Sequence, residues 1–188
     1  MTIEKHTKTK IKICGLRRRE DILAVNEAKP DYCGFIIEFP RSFRSITADK
    51  ARELVRDLLN DGTLALAQLH GQEDESYIRE LKKTVEKPVI KAFSVKTKED
   101  IEKAILSPAD YILLDQGGGG TGKTFDWSLI PEIRREFFLA GGLGTENLRQ
   151  AIREIRPYAV DLSSSVETDK WKDPEKIRQV VGIVKKSV

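Results

Sequence analysis

Seven short apolar runs, each followed by an amphipathic stretch, constrain this chain's fold more than any other feature. The runs are KIKIC (10–14), YCGFIIEF (32–39), LALAQLH (64–70), PVIKAFSV (88–95), YILLD (111–115), FFLAGGL (137–143) and YAVDLSSSV (158–166). The spacing that follows them predicts helices over 18–29, 47–59, 75–85, 97–106, 126–136, 145–155 and 173–186, with Thr47, Thr97 and Thr145 as N-cap residues. Strands that are nearly continuous apolar runs suit a sheet covered on both faces. A regular strand–helix alternation makes that sheet parallel.

Two parallel architectures compete, a closed barrel and an open doubly wound sheet. Polar, reactive and glycine residues cluster at the ends of several strands: Cys14, Arg44 just beyond its strand, His70, Asp115, Gly141 and Gly142, and Asp161 to Ser165. A barrel brings all those ends to one mouth, whereas an open sheet gathers them at a single crevice. The expectation is a TIM-type (βα) barrel in a single domain over 1–188. Its count is one short, with seven recognisable βα units where such barrels have eight. The segment LLNDGT (58–63) has no room for another strand and helix.

Composition bounds the function. The 188 residues carry 33 Lys+Arg against 30 Asp+Glu, interleaved along the chain, for a net charge of +3. No basic tract with interleaved aromatics is present, which argues against nucleic acid, and the mild positive balance favours an anionic small substrate. Two cysteines, Cys14 and Cys33, make no disulfide scaffold and fit a reducing compartment. No apolar run reaches the roughly 18 residues of a membrane span. The N-terminal MTIEKHTKTK is too polar for a signal peptide. A cytoplasmic protein is expected.

Four pieces in order give the chain a resemblance. They are KICG (12–15), QLHG (68–71), LLDQGGGGTGKTFDW (113–127), and LAGGL (139–143) followed by AVDLSSSVE (159–167). Together they resemble the phosphoribosylanthranilate isomerase family along nearly the whole chain, the glycine-rich segment after LLD being the most specific. The resemblance implies an Amadori rearrangement in tryptophan biosynthesis. N-(5-phosphoribosyl)anthranilate opens its furanose ring and becomes 1-(2-carboxyphenylamino)-1-deoxyribulose 5-phosphate. It implies a small phosphorylated substrate and no cofactor or metal, because the substrate's iminium is its own electron sink.

The chemistry needs an acid for the ring oxygen and a base for the sugar C2 proton. By the resemblance, Cys14 is the base and Asp115 the acid. A thiol serves as base when its thiolate is accessible, and a carboxylic acid donates near neutrality when burial or charge favours its protonated form. By position alone, Cys14 could equally be an inert buried cysteine; for Asp115 the competing reading is a loop cap, and a half-buried aspartate after ILL favours the functional one. The resemblance further implies Arg44 at the anthranilate carboxylate, with Arg41 a competitor, and Asp161 at the substrate hydroxyls. His70 is a pocket-lining candidate, a packed histidine being as good a reading. Phosphate is expected at Gly141, Gly142, Ser163, Ser164 and Ser165, and a flap at Gly118, Gly119, Gly120 and Gly122. Cys33 reads as a core residue, and Trp127 and Trp171 as packing residues.

Two departures from the family pattern stand out. The third strand and helix before QLHG are missing, which leaves a gap that a second subunit of a homo-oligomer is expected to cover. Ser165 stands where the family has glycine, and a serine forced to positive φ would be strained. Two other readings are kept: a lyase on the same barrel, for which Lys91 is the candidate lysine, and a weakly active or non-catalytic phosphate-ligand binder.

Overall fold

The computed structural model describes residues 8–37, 42–47, 50, 67–69, 74–84, 88–117 and 124–187. Its strands are β1 (Lys10–Cys14), β2 (Tyr32–Gly34), β3 (Ile36–Ile37), β4 (Ser45–Ile46), β5 (Ala67–Leu69), β6 (Val89–Ser94), β7 (Tyr111–Asp115), β8 (Phe137–Leu139), β9 (Ala159–Leu162), β10 (Glu167–Thr168) and β11 (Trp171–Lys172). The α-helices are α1 (Arg19–Ala28), α2 (Glu75–Thr84), α3 (Lys98–Leu106), α4 (Leu148–Ile155) and α5 (Pro174–Lys186).

Seven strands form one sheet in the order β2-β1-β9-β8-β7-β6-β5, and each neighbouring pair is parallel. This is the wall of a TIM-type barrel, with one place open among the described residues. Its edges, β2 and β5, are the second and third wall strands in chain order, and among the described residues no strand bridges them. The gap therefore falls where the sequence lacks a βα unit.

Period-two alternation sorts each strand between two cores. Ile11, Ile13, Ile112, Leu114, Leu139, Val160 and Leu162 point outward and pack with helical residues such as Ile22, Ile101, Leu148 and Ile177. Tyr32, Ile90, Ala92, Leu113, Phe138 and Ala159 form the inner face. Because Ile11 and Ile13 face outward, Lys10, Lys12 and Cys14 of the same strand face inward. Phe138, fully buried, lies edge-on to Tyr111 and Tyr158 at centroid distances of 5.7 Å. Burying such a ring contributes roughly 1.5–3 kcal/mol.

Helix starts repeat one device. Asp21, third in α1, accepts from the N–H groups of Arg17 (2.8 Å) and Arg18 (3.0 Å). Asp100 does the same in α3, for Lys96 (2.9 Å) and Thr97 (3.0 Å). Each carboxylate satisfies N–H groups that a helix start leaves orphaned and meets the positive end of its dipole. Thr97 takes the predicted cap position, and Asp173 caps α5 ahead of Pro174.

Four expectations need correction. The run 32–39 is not one strand; β3 leaves the wall to pair with β4. The helix expected over 126–136 shrinks to a 3-10 turn, Trp127–Leu129. Pro131 explains it, since proline cannot donate and disfavours helical backbone in the residue before it. Thr145 does not cap α4; Asn147 holds that position. The run 158–166 ends as a strand at Leu162 and turns into a 3-10 helix, Ser164–Val166. The predicted helix 47–59 lies mostly outside the described residues. Within them, the Thr47 hydroxyl accepts from the N–H of Lys50 at 3.2 Å.

Candidate active site

The inner face of β1 presents Lys12 and then Cys14 at the strand's C-terminal end. Lys12 is 4% exposed and donates to Asp161 Oδ2 on β9 at 2.9 Å. Burial by itself would lower its pKa. The charge of Asp161, then that of Cys14, outweighs burial, and its pKa lies above the ordinary lysine value. Gly34, opposite Cys14, leaves room at this point. A Cβ there would lie 3.3 Å from Cys14 Sγ, 3.4 Å from Lys12 Cε and 3.5 Å from Lys12 Nζ. Cys33 takes the other course: it packs against the outer core, and burial pushes its thiol up to about 11.

Asp115 ends β7 at the same end of the sheet as Cys14, three strands away across β9 and β8. Its carboxylate approaches the backbone of Gly141 just past β8. A Cβ on Gly141 would sit 2.7 Å from Asp115 Oδ1 and 2.7 Å from the Gln116 nitrogen. Gly141 (φ 84) and Gly142 (φ 63) are both left-handed, so glycine is required twice over at Gly141. Asn147 holds this turn, donating from Nδ2 to Gly142 O and accepting from the N–H of Gly144, both at 2.9 Å.

After β9, Ser163 donates its hydroxyl to Cys14 O at 3.0 Å and so ties the last wall strand to the first. Its carbonyl accepts from Lys172 at 2.9 Å. With side chain and carbonyl committed, what Ser163 offers an anion is its backbone N–H. Ser164 and Ser165 follow in the 3-10 turn, Ser165 exposed. The strain expected at Ser165 is absent, because its φ is not positive and helical φ is open to any residue. Left-handed backbone falls instead at Asp169 (φ 50) and Lys170 (φ 66), the two-residue turn of the β10–β11 hairpin.

Arg44 reaches the site over Gly15, where a Cβ would meet its Cδ at 2.7 Å. Its guanidinium grips Glu167 in a two-bond fork, Nε to Oε1 at 2.7 Å and Nη2 to Oε2 at 2.8 Å. Lys172, itself buried, donates to the same Oε1 at 2.8 Å. Burial would raise the Glu167 carboxyl, but the hydrogen bonds from Arg44 and Lys172 hold it below the ordinary glutamate value. Burial pulls Lys172 down, partly opposed by Glu167. The loop is clasped further by Arg17, which donates to Phe43 O at 2.9 Å and lies 4.2 Å from the Trp171 ring centre. Trp171 thus packs as an exposed stacking platform for Arg17 and Arg18.

The structure brings Cys14, Arg44, Asp115, Gly141, Gly142, Asp161, Ser163, Ser164 and Ser165 to the C-terminal ends of the strands. His70, Arg41, Gly118, Gly119, Gly120 and Gly122 lie outside the described residues. Lys12, Asn147, Glu167 and Lys172 were not singled out by sequence reasoning. One of them had a signal. A lysine alternating with isoleucine in a strand covered on both faces lies on the face opposite the isoleucines, and when buried there it needs a counter-charge or hydrogen-bond acceptors.

Comparison with known proteins gives one consistent result. Residues 38–182 match the family model described as N-(5'phosphoribosyl)anthranilate (PRA) isomerase. An N-(5'-phosphoribosyl)anthranilate isomerase of Endomicrobium trichonymphae is 45% identical over 199 positions, covering 94% of this chain and 98% of the relative. Since 94% of 188 residues is about 177, roughly 22 of those 199 positions are empty in this chain, the size of a missing strand and helix. Phosphoribosyl anthranilate isomerase of Thermus thermophilus superposes with a TM-score of 0.79 at 29% identity, covering 94% of this chain and 98% of that one. A structure of such an isomerase in complex with reduced 1-(o-carboxyphenylamino)-1-deoxyribulose 5-phosphate gives 0.78 at 34% identity, with the same coverage.

Proposed function

Because this chain belongs to the N-(5'phosphoribosyl)anthranilate isomerase family, an isomerase of tryptophan biosynthesis, we propose that Cys14 and Asp115 are its base and acid. The observation that carries the reading is their placement. Both side chains face inward at the C-terminal ends of β1 and β7, on a shared rim with the Gly141–Gly142 turn and the Ser163–Ser165 turn. Such a rim is where barrel enzymes gather catalytic and phosphate-binding groups.

In this reading Asp115 protonates the furanose ring oxygen, and the bond from that oxygen to C1 breaks to give the open iminium. Cys14 takes the C2 proton, the C–H electron pair forms C1=C2, and the C1=N π pair moves onto the nitrogen. The resulting enol tautomerises to the ketone. Gly141 matters to both ends of the substrate, since its lack of a side chain lets Asp115 approach and its left-handed backbone turns the chain toward the phosphate. Ser163 to Ser165 hold the phosphate mainly through the N–H groups of the 3-10 turn. Arg44 serves the anthranilate carboxylate with Nη1, the donor that Glu167 leaves, and Asp161 faces the sugar hydroxyls beside Lys12.

Cys14→Ala and Asp115→Asn variants should each lose about 100-fold or more in turnover and fail to rescue a tryptophan auxotroph lacking this isomerase, while wild type rescues it. Full turnover by either variant removes that residue from the mechanism. The retained acid–base pair and phosphate rim weigh against a non-catalytic binder. Lys91 faces the helix side of β6 with Val89, away from the rim, which weighs against a lyase.

The reading includes a cytoplasmic, self-associating protein. The open edges β2 and β5 support it, since unpaired strand edges favour pairing with another chain. Sedimentation should show a dimer or larger species; a monomer at high concentration rejects self-association.

A further inference from the structure

Lys12 is buried between two acids. Asp161 accepts from its ammonium at 2.9 Å, with side-chain exposures of 5% and 8%. On the other flank, Lys12 Nζ and Cys14 Sγ border one small volume, the space that the missing side chain of Gly34 leaves open. An unpaired cation in such a place would cost several kcal/mol, so the charge is retained by the anions beside it. One of these neighbours, Asp161, is a carboxylate; the other is the Cys14 thiol.

We propose that Lys12 is a positioning residue for the isomerisation: its buried ammonium holds Cys14 as the thiolate that takes the C2 proton, and Asp161 tempers that pull by sharing the same charge. The proposal rests on the reading of Cys14 as base. During the step the C2–H bond breaks, the proton passes to Sγ and the electron pair enters the iminium. Lys12 gives up no proton, and its charge stays balanced by Asp161 once the thiolate has become a thiol.

Other groups face the same thiol. Lys172 on β11 interacts with it electrostatically, as does Cys33 on β2. Arg44 and Glu167 approach over Gly15 and through Lys172. Lys172, however, already donates to Glu167 and to the carbonyl of Ser163, and Arg44 is gripped by Glu167. Lys12 is the cation next to Cys14 on the inward face of β1, and its other partner, Asp161, stands on β9, the neighbouring strand opposite Gly34.

The test is the pH dependence of iodoacetamide labelling at Cys14, resolved from Cys33 by peptide mass. Lys12→Met should move the labelling midpoint upward and slow labelling near neutral pH about 10-fold, a one-unit change. Asp161→Asn should move it downward, because Lys12 then serves the thiolate alone. Lys12→Arg should keep the midpoint near that of wild type. A merely structural role would not move the two midpoints in opposite directions. Unchanged midpoints, or shifts of the same sign, overturn the proposal. If Lys12→Met does not fold, the Asp161→Asn and Lys12→Arg arms decide. An active Cys14→Ala enzyme would overturn the base role and this proposal with it; that result comes from turnover and the midpoint from labelling, so the two failures are told apart.

Discussion

The two ends of the barrel's inner face each hold a lysine from β1, and they treat it in opposite ways. At the N-terminal end, Lys10 donates to Tyr158 Oη at 2.7 Å and to Tyr32 Oη at 3.4 Å, with its ammonium 4.6 Å from the Tyr158 ring centre. The two hydroxyls are 2.8 Å apart, and Tyr111 stacks on Tyr158 at 5.3 Å. These partners are neutral phenols; burial and hydrogen bonds from its neighbours hold the Tyr158 proton well beyond the ordinary tyrosine range. At the C-terminal end, Lys12 is paired with the Asp161 carboxylate and lies beside the Cys14 thiol. Phenols and ring faces disperse a charge and make a plug. A carboxylate instead pairs the charge, as Asp161 does for Lys12.

The largest effect that would separate the two ends is on stability. Lys12→Met leaves Asp161 buried without its cation and should cost roughly 3–5 kcal/mol in denaturant unfolding. Lys10→Met removes hydrogen bonds to neutral groups and should cost about 1 kcal/mol, with turnover unchanged. Equal costs would erase the contrast. A smaller and pH-gated effect concerns the acids of the active rim. The folded state holds the Glu167 carboxyl below its ordinary value of 4.5, so its contribution is present above that pH and is lost as pH falls through the lower, folded value. Thermal melts of wild type should therefore drop below about pH 4.5, and Glu167→Gln should be less stable at neutral pH yet flatter across the acid range. A parallel acid dependence in both proteins would show that Glu167 is not the group responsible.

Much of this architecture was legible because its signals are local. KIKIC and YILLD were bounded correctly, since period and apolar content mark a strand within five residues. The gap at LLNDGT was visible as simple shortage of chain, and among the described residues no strand bridges β2 and β5, the wall strands that precede and follow it in the chain. Errors arose where a local signal met a competing one. The helix over 126–136 read well by periodicity, but Pro131 vetoed it. Ser165 looked strained only because a glycine motif was taken to mean positive φ; the turn that needs such backbone lies four residues on, at Asp169 and Lys170.

For the site, sequence alone determined the reactive inventory. A thiol, a carboxylate, glycines and serines stand at strand ends, in an order that resembles one family, and strand geometry obliges them to share a rim. Only the tertiary structure decided their electrostatics. That Lys12 meets Asp161, that Glu167 takes two donors of Arg44, and that Asp115 needs the bare backbone of Gly141 all depend on pairs 26 to 149 residues apart. Charge acts through space and burial, and neither is written in the order of residues along a chain.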